Sequence, residues 1–166
     1  MRFRARLGNE HIQLIYSLIG QIARIKPEAI IHLDREKVRI STKDSDGISC
    51  FSELQATGGI FLDHKIESVA NNAIVFEIDL LQWRTALQSV LYGGEESNRR
   101  HRRGNDYYEQ RSQAAVSALE SSISTMKLAK RNGGIPCLCI DAMSSGSSVE
   151  LHHAIPITVM RVEDAR

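Results

Sequence analysis

Alternation of polar and apolar residues opens the chain. In residues 1–7, arginine occupies every second position and apolar side chains lie between. A period of two predicts a half-buried strand. From Glu10 to about Lys26, isoleucines instead recur at intervals of three and four, which predicts an amphipathic helix. Pro27 is expected to end that helix, because the residue before a proline disfavours helical backbone angles.

Strand-like segments separated by turn-forming sequences follow the first helix. They are predicted at residues 30–33, 37–42 and 48–54, with a further extended stretch at 60–69. The same order then recurs around a second helix, from Leu80 to about Tyr92, capped by Asp79 and closed by Gly93-Gly94. The strands of this second unit are predicted at residues 73–79, 124–130, 135–143 and 149–157.

One such unit would leave a helix stripe and a sheet face uncovered. Two units side by side therefore predict an α+β fold built from two βαβββ-like repeats, with both helices on one face of an antiparallel sheet of about eight or nine strands. The core is expected to contain Phe3, Ile15, Ile19, Ile22, Phe76, Trp83, Leu87, Leu138 and Ile140.

An insertion and a tail interrupt the pattern. Residues 93–122 are polar and charged at first and include the basic run 99–103. That composition predicts a mobile segment up to about residue 112, because it offers too little apolar surface to offset ordering. Residues 112–122 could form a short helix. We expect one domain over residues 1–157, and the start of a connector at 158–166.

Composition restricts the chemistry. The net charge is +1, so any attraction to nucleic acid must come from local patches. No apolar run is long enough to span a membrane. Three cysteines, two of them in a Cys-x-Cys run, suit reduced thiols, and the histidines have no ligand spacing. No nucleophile, base or phosphate-loop motif is present, so no catalytic residue, metal or cofactor is expected.

Three short stretches resemble one known family. They are Met-Arg-Phe-Arg-Ala-Arg-Leu at 1–7, Ile-Pro-Cys-Leu at 135–138, and His-His-Ala-Ile-Pro-Ile-Thr-Val at 152–159. In this order and spacing they are similar to the first domain of the Hus-type subunit of the DNA-damage checkpoint clamp, a heterotrimeric relative of the replication sliding clamp. The resemblance covers nearly the whole chain. That family's second domain is expected to be absent from it.

The resemblance implies a non-catalytic, nuclear protein. It would form a ring with two other checkpoint-clamp subunits, be placed on duplex DNA by a clamp loader, encircle that DNA and recruit checkpoint and repair factors. The two helices would line the ring, and their contacts to phosphates would read no bases. The residues expected to face DNA are Gln13, Ser17, Gln21, Arg24, Gln82, Arg84 and Gln88. For any one of them, an ordinary solvated helix face is the competing interpretation.

Resemblance also implies that the last strand is a sheet edge that pairs with a neighbouring subunit, with Pro156 ending the pairing. The interface residues would be Val149, Glu150, Leu151, His152, His153 and Ala154. Two other function classes stay open: an interaction scaffold that uses its edge strands without touching DNA, and a small intracellular enzyme. The arginines at positions 2, 4 and 6 could contact phosphate, or pair with carboxylates on neighbouring strands.

Overall fold

In the part of the chain that the structure describes, nine strands pair into one antiparallel sheet, and two α-helices pack against each other over it. The computed structural model describes residues 1–43, 47, 49–99, 123–131, 133–143 and 150–165. The strands are β1 Arg2–Leu7, β2 Glu28–Leu33, β3 Lys37–Lys43, β4 Ser49–Gln55, β5 Asp63–Glu67, β6 Ile74–Asp79, β7 Ser124–Arg131, β8 Ile135–Met143 and β9 Glu150–Met160. The helices are α1 Asn9–Ile22, α2 Leu80–Arg99 and a short 3-10 helix, Val162–Ala165.

The predicted repeat is present. The element order reads β1-α1-β2-β3-β4, then β5 as a link, then β6-α2-β7-β8-β9. The sheet order is β4-β3-β2-β6-β9-β8-β7-β1-β5. The first strand of each repeat therefore pairs with a strand of the other repeat, because β1 pairs with β7 and β6 pairs with β2. This exchange fuses the two halves into one sheet, and it confirms the α+β class with two helices on one face.

The predicted core is confirmed. All nine apolar side chains expected inside are at most 3% exposed, and they belong to one continuous cluster between sheet and helices. Period-two burial along β1 explains part of this: Phe3, Ala5 and Leu7 point into the core while the arginines between them are exposed. Burying such side chains is the main favourable term in folding.

Both helices end elsewhere than predicted. α1 ends at Ile22, and the N–H groups of Arg24 and Ile25 donate to the carbonyl oxygens three residues earlier, so Arg24 lies in the turn and not in the helix. α2 runs on to Arg99, so Gly93-Gly94 does not close it. Two glycines weaken a helix without forbidding it, at about 1 kcal/mol each. The remainder of the predicted insertion, from residue 100 to 122, lies outside the described residues.

The last strand is longer than predicted. β9 continues to Met160, where Val75 of β6 is its register partner, so residues 158–160 belong to the sheet and not to a connector. The chain then turns into the short 3-10 helix, which packs near β6. β5, in contrast, is shorter than the extended stretch predicted at 60–69.

Candidate nucleic-acid face and subunit edge

The seven candidate DNA-facing side chains are all exposed. Those on the helices lie on faces turned away from the buried stripes, which hold Ile12, Ile15 and Ile19 in α1 and Trp83 and Leu87 in α2. The two helices touch, so their exposed faces form one polar surface. We call this surface the helix face: Gln13, Ser17, Gln21, Gln82, Arg84 and Gln88, with Arg24 in the turn that follows α1.

Arg84 is held in place by α1. Its Cζ lies 4.9 Å from the centre of the Tyr16 ring, and its Nη2 donates a hydrogen bond to the Tyr16 hydroxyl at 3.3 Å. Gly20 makes room for it, because a Cβ there would lie 3.3 Å from Arg84 Nε. A guanidinium stacked on a ring keeps further N–H groups for a phosphate. Helical periodicity predicts that Arg84 is exposed, but it does not predict the contacts with Tyr16 and Gly20.

Gln82 is engaged at the start of α2. Asp79 Oδ1 accepts hydrogen bonds from the backbone N–H groups of Leu81 at 2.8 Å and Gln82 at 3.0 Å, which confirms the predicted cap. The Gln82 side chain donates to the other Asp79 oxygen at 3.4 Å. This amide is therefore partly committed to the cap, whereas Gln13 and Gln88 are exposed polar groups farther along their helices.

Some apolar groups also reach this surface. Leu14 of α1 is 44% exposed, and Leu81 of α2 is 50% exposed. Tyr92 packs edge-on against Tyr16 with ring centres 6.5 Å apart. The helix face is thus polar with apolar patches and carries little charge. Such a surface suits weak, sliding contact with a phosphate backbone better than tight binding.

β9 is an edge strand over part of its length only. Residues 150–156 pair with β8 on one side, and residues 157–160 pair with β6 on the other. Among the described residues, no strand pairs with the side of residues 150–155 that faces away from β8. The pairing with a neighbouring subunit, predicted to end at Pro156, stays a prediction, and from Ile157 onward β6 occupies this side of β9. The predicted edge residues from Glu150 to Ala154 lie on the open stretch, and Val149 lies outside the described residues.

Two prolines, Pro136 and Pro156, indicate which backbone groups of β9 point toward its open side. Hydrogen-bonded pairs alternate along an antiparallel ladder, and each exchanges two N–H bonds. Pro156 opposes Cys137, and Pro156 has no N–H to exchange, so this is not a hydrogen-bonded pair. Pro136 opposes Lys130 of β7, so this pair is not hydrogen-bonded either, and the alternation that follows along β8 is the same.

Because hydrogen-bonded pairs alternate along the ladder and Pro156 is not in one, the odd-numbered residues of β9 form the backbone hydrogen bonds with β8. Leu151 therefore forms a hydrogen-bonded pair with Ala142, and His153 forms one with Ile140. The backbone N–H and C=O groups of the even-numbered residues point away from β8 toward the open side. These are the groups that a strand from another molecule could bond: Glu150, His152 and Ala154.

Adjacent histidines on this edge differ in their surroundings. His152 lies on the outer sheet face and pairs with Asp141, whose other oxygen lies 2.6 Å from Lys127 Nζ. Partial burial acts to raise the pKa of Asp141, but the hydrogen bonds from Lys127 and His152 outweigh it and lower that pKa overall. His153 lies opposite core residue Ile140, and burial lowers its pKa, with a smaller contribution from His152.

Neither a metal site nor a membrane helix is visible in the described ranges. Within them, no group of three or more His, Cys, Asp or Glu side chains could hold a metal ion. The two cysteines of β8, Cys137 and Cys139, are buried and unpaired with one another. Of the helices that the structure describes, none is long and apolar enough to cross a membrane.

Comparison with known proteins gives one consistent result. A family model described as Hus1-like protein matches residues 1–166. A curated relative, the checkpoint protein hus1 homolog of Dictyostelium discoideum, is 34% identical over 96 residues, which cover 57% of this chain and 34% of the relative. A crystal structure of PCNA from Thermococcus kodakaraensis matches with a TM-score of 0.54 at 13% identity, over 96% of this chain and 47% of that chain.

These matches differ in what they establish. At 13% identity the likeness to PCNA shows a shared clamp fold. The chain spans about a third of the curated relative and about half of the PCNA chain.

Proposed function

Since the chain belongs to the Hus1-like protein family, we propose that it is part of a subunit of a ring-shaped DNA-damage checkpoint clamp that encircles duplex DNA. The observation that carries the proposal is the helix face: two neighbouring helices on one side of a clamp-fold sheet expose six candidate DNA-facing side chains, most of them uncharged amides, and Arg24 follows in the turn after α1. A ring holds DNA by enclosing it, so its inner wall needs only weak contacts.

Phosphate contact is the role that we assign to this face. Arg84 and Arg24 would supply charge, and glutamines such as Gln13 and Gln88 would donate hydrogen bonds to phosphate oxygens. Contacts of this kind position a protein on a duplex without reading its sequence. They also weaken as salt rises, because each neutralised phosphate releases condensed counterions.

Assembly is the second part of the proposal. Two other checkpoint-clamp subunits would complete the ring, a clamp loader would place it on DNA, and the assembly would act in the nucleus by recruiting checkpoint and repair factors. The open stretch of β9, Glu150–Ala154 together with Val149, would pair with a strand of a neighbouring subunit. Unpaired N–H and C=O groups at an edge favour such strand addition. We assign no catalytic role to the chain.

A scaffold without DNA contact is the alternative, and one observation favours it. The outermost strand β4 exposes Phe51 at 65% on the sheet's far edge, a site where another chain could dock. Retention on DNA distinguishes the two functions. In the clamp function the protein, assembled with its two partner subunits, stays on nicked circular DNA and slides off when the circle is cut.

Negative charge added to the helix face tests the proposal. A triple variant, Gln13→Glu, Gln21→Glu and Gln88→Glu, adds three negative charges where phosphates would lie. We expect roughly tenfold shorter residence on circular DNA, with ring assembly unchanged. The matched control, Asn71→Asp, Thr57→Glu and Gln55→Glu, adds the same charge at exposed positions away from the helix face. Equal residence for both triple variants would contradict the proposal.

A further inference from the structure

A line of three cations crosses three neighbouring strands on the outer face of the sheet, opposite the helices. Arg4 of β1 is the register partner of Lys65 on β5 and of Lys127 on β7. Directly opposed residues carry their side chains on the same face, about 5 Å apart at Cβ. Arg4, Lys65 and Lys127 therefore form a row about 10 Å long, which we call the cation row.

The carboxylates nearby neutralise this region unevenly. Lys65 pairs with Glu67, and Lys127 pairs with Asp141, each with N···O of 2.6 Å. Among the residues that the structure describes, no carboxylate pairs with Arg4, the middle member of the row.

The three arginines of β1 thus differ. Arg6 donates a hydrogen bond from Nε to Asp63 at 2.6 Å, and that bond lowers the pKa of Asp63. Cross-strand pairing with carboxylate, one of the two interpretations of the arginine series, therefore holds for Arg6. It does not hold for Arg4 within the described chain.

Such a row is unfavourable for the isolated fold. Like charges directly opposite one another on neighbouring strands destabilise a sheet. The two flanking ion pairs do little to offset this, because exposed pairs contribute about 0–1 kcal/mol. The lysines of these two ion pairs can also exchange one carboxylate partner for another at small cost. An arrangement that weakens the free protein and leaves its central guanidinium without an ion-pair partner in the described chain suits an anionic ligand.

We propose that the cation row binds an acidic segment of a partner protein, in extended conformation, with Asp or Glu at alternate positions. Side chains on one side of an extended chain repeat about every 7 Å, so two carboxylates fit within the row. Arg4 would hold one of them in a bidentate pair. The row lies on the sheet face away from the helices, so this site is independent of the proposed DNA contact.

A labelled peptide of alternating Glu and Ser tests the site by fluorescence anisotropy. Arg4→Gln should weaken binding roughly fivefold, the factor for loss of one charge-assisted hydrogen-bonded pair. The matched control is Arg39→Gln, which removes the same charge from an arginine of β3 that already donates to Glu53 at 2.9 Å. Equal weakening by the two substitutions, or equal binding of a Gln–Ser peptide, would overturn the proposal. So would duplex DNA binding more tightly than the acidic peptide at this site.

Thermal unfolding supplies a second readout. If Arg4 serves a ligand, Arg4→Gln removes a like charge between two lysines, so the unfolding midpoint should stay unchanged or rise. A lower midpoint for Arg4→Gln would mean that Arg4 has a structural role, and the proposal would then be wrong.

Discussion

Single residues on the helix face owe their roles to neighbours on the other helix. Exposure of the glutamines follows from helical periodicity, which the sequence displays. The setting of Arg84 does not, because it depends on Tyr16 and Gly20, which are more than sixty positions away.

His153 should make stability depend on pH. Burial lowers its pKa in the folded protein below the unfolded value of about 6.5, so the unfolded chain binds the proton more readily. Stability should therefore fall as pH drops below about 6.5. In His153→Gln that fall should be smaller, by less than about 1 kcal/mol because the ring is partly exposed. Urea unfolding at pH values above and below 6.5 measures it.

Glu53→Gln is the control for this prediction. Hydrogen bonds from Lys37 and Arg39 lower the pKa of Glu53, so its carboxylate is ionised at both pH values. Replacing Glu53 should change stability equally at each. A pH dependence in His153→Gln as steep as in the unaltered protein would show that another group causes it.

At the scale of the element, β9 combines two functions in one strand. Its second half pairs with β6, and its first half pairs with β8 and offers backbone groups to solvent on the other side. Pro156 lies at the change of partner. Having no N–H, it fits where one ladder ends and the next begins. The last strand of the domain is thereby anchored at its end while part of it stays open.

Two proline substitutions in β9 separate folding from association. The N–H of Ala154 points to the open side, so Ala154→Pro should keep the fold and abolish pairing with a neighbouring subunit. The N–H of Leu151 bonds β8, so Leu151→Pro should lower the free energy of unfolding by about 1–3 kcal/mol. Urea unfolding and size-exclusion chromatography with partner subunits measure the two effects. A folded Ala154→Pro protein that assembles normally would place the interface elsewhere.

In the whole molecule, the first repeat depends on the second. β1 lies between β7 and β5, and β6 lies between β2 and β9. The strands of the second repeat are therefore adjacent to one another, and they separate β1 from the other strands of the first repeat. The domain should consequently unfold in one cooperative step, as small single domains commonly do.

Division of the chain between the repeats tests this dependence. Asn71, in an exposed turn with φ of 50°, is the point at which to split it into residues 1–70 and 71–166. Residues 1–70 alone should be largely unfolded by circular dichroism, because the four strands that join β2 to β1 in the sheet all belong to the other piece. The two pieces mixed should fold together. Cooperative unfolding of residues 1–70 alone would contradict the exchange as the source of cooperativity.

Features of the fold that depend on short-range periodicity can be predicted from the sequence. Alternation in β1, the isoleucine spacing of α1, the Asp79 cap and the nine core positions all follow from neighbours within a few residues. The tertiary structure alone decided which strands pair, because strand order depends on contacts between residues far apart in sequence. It decided that β9 lies mid-sheet, that Arg84 rests on Tyr16, and that Arg4 lies between two lysines. Local patterns show which face of an element is buried, but only long-range pairing shows what lies next to it.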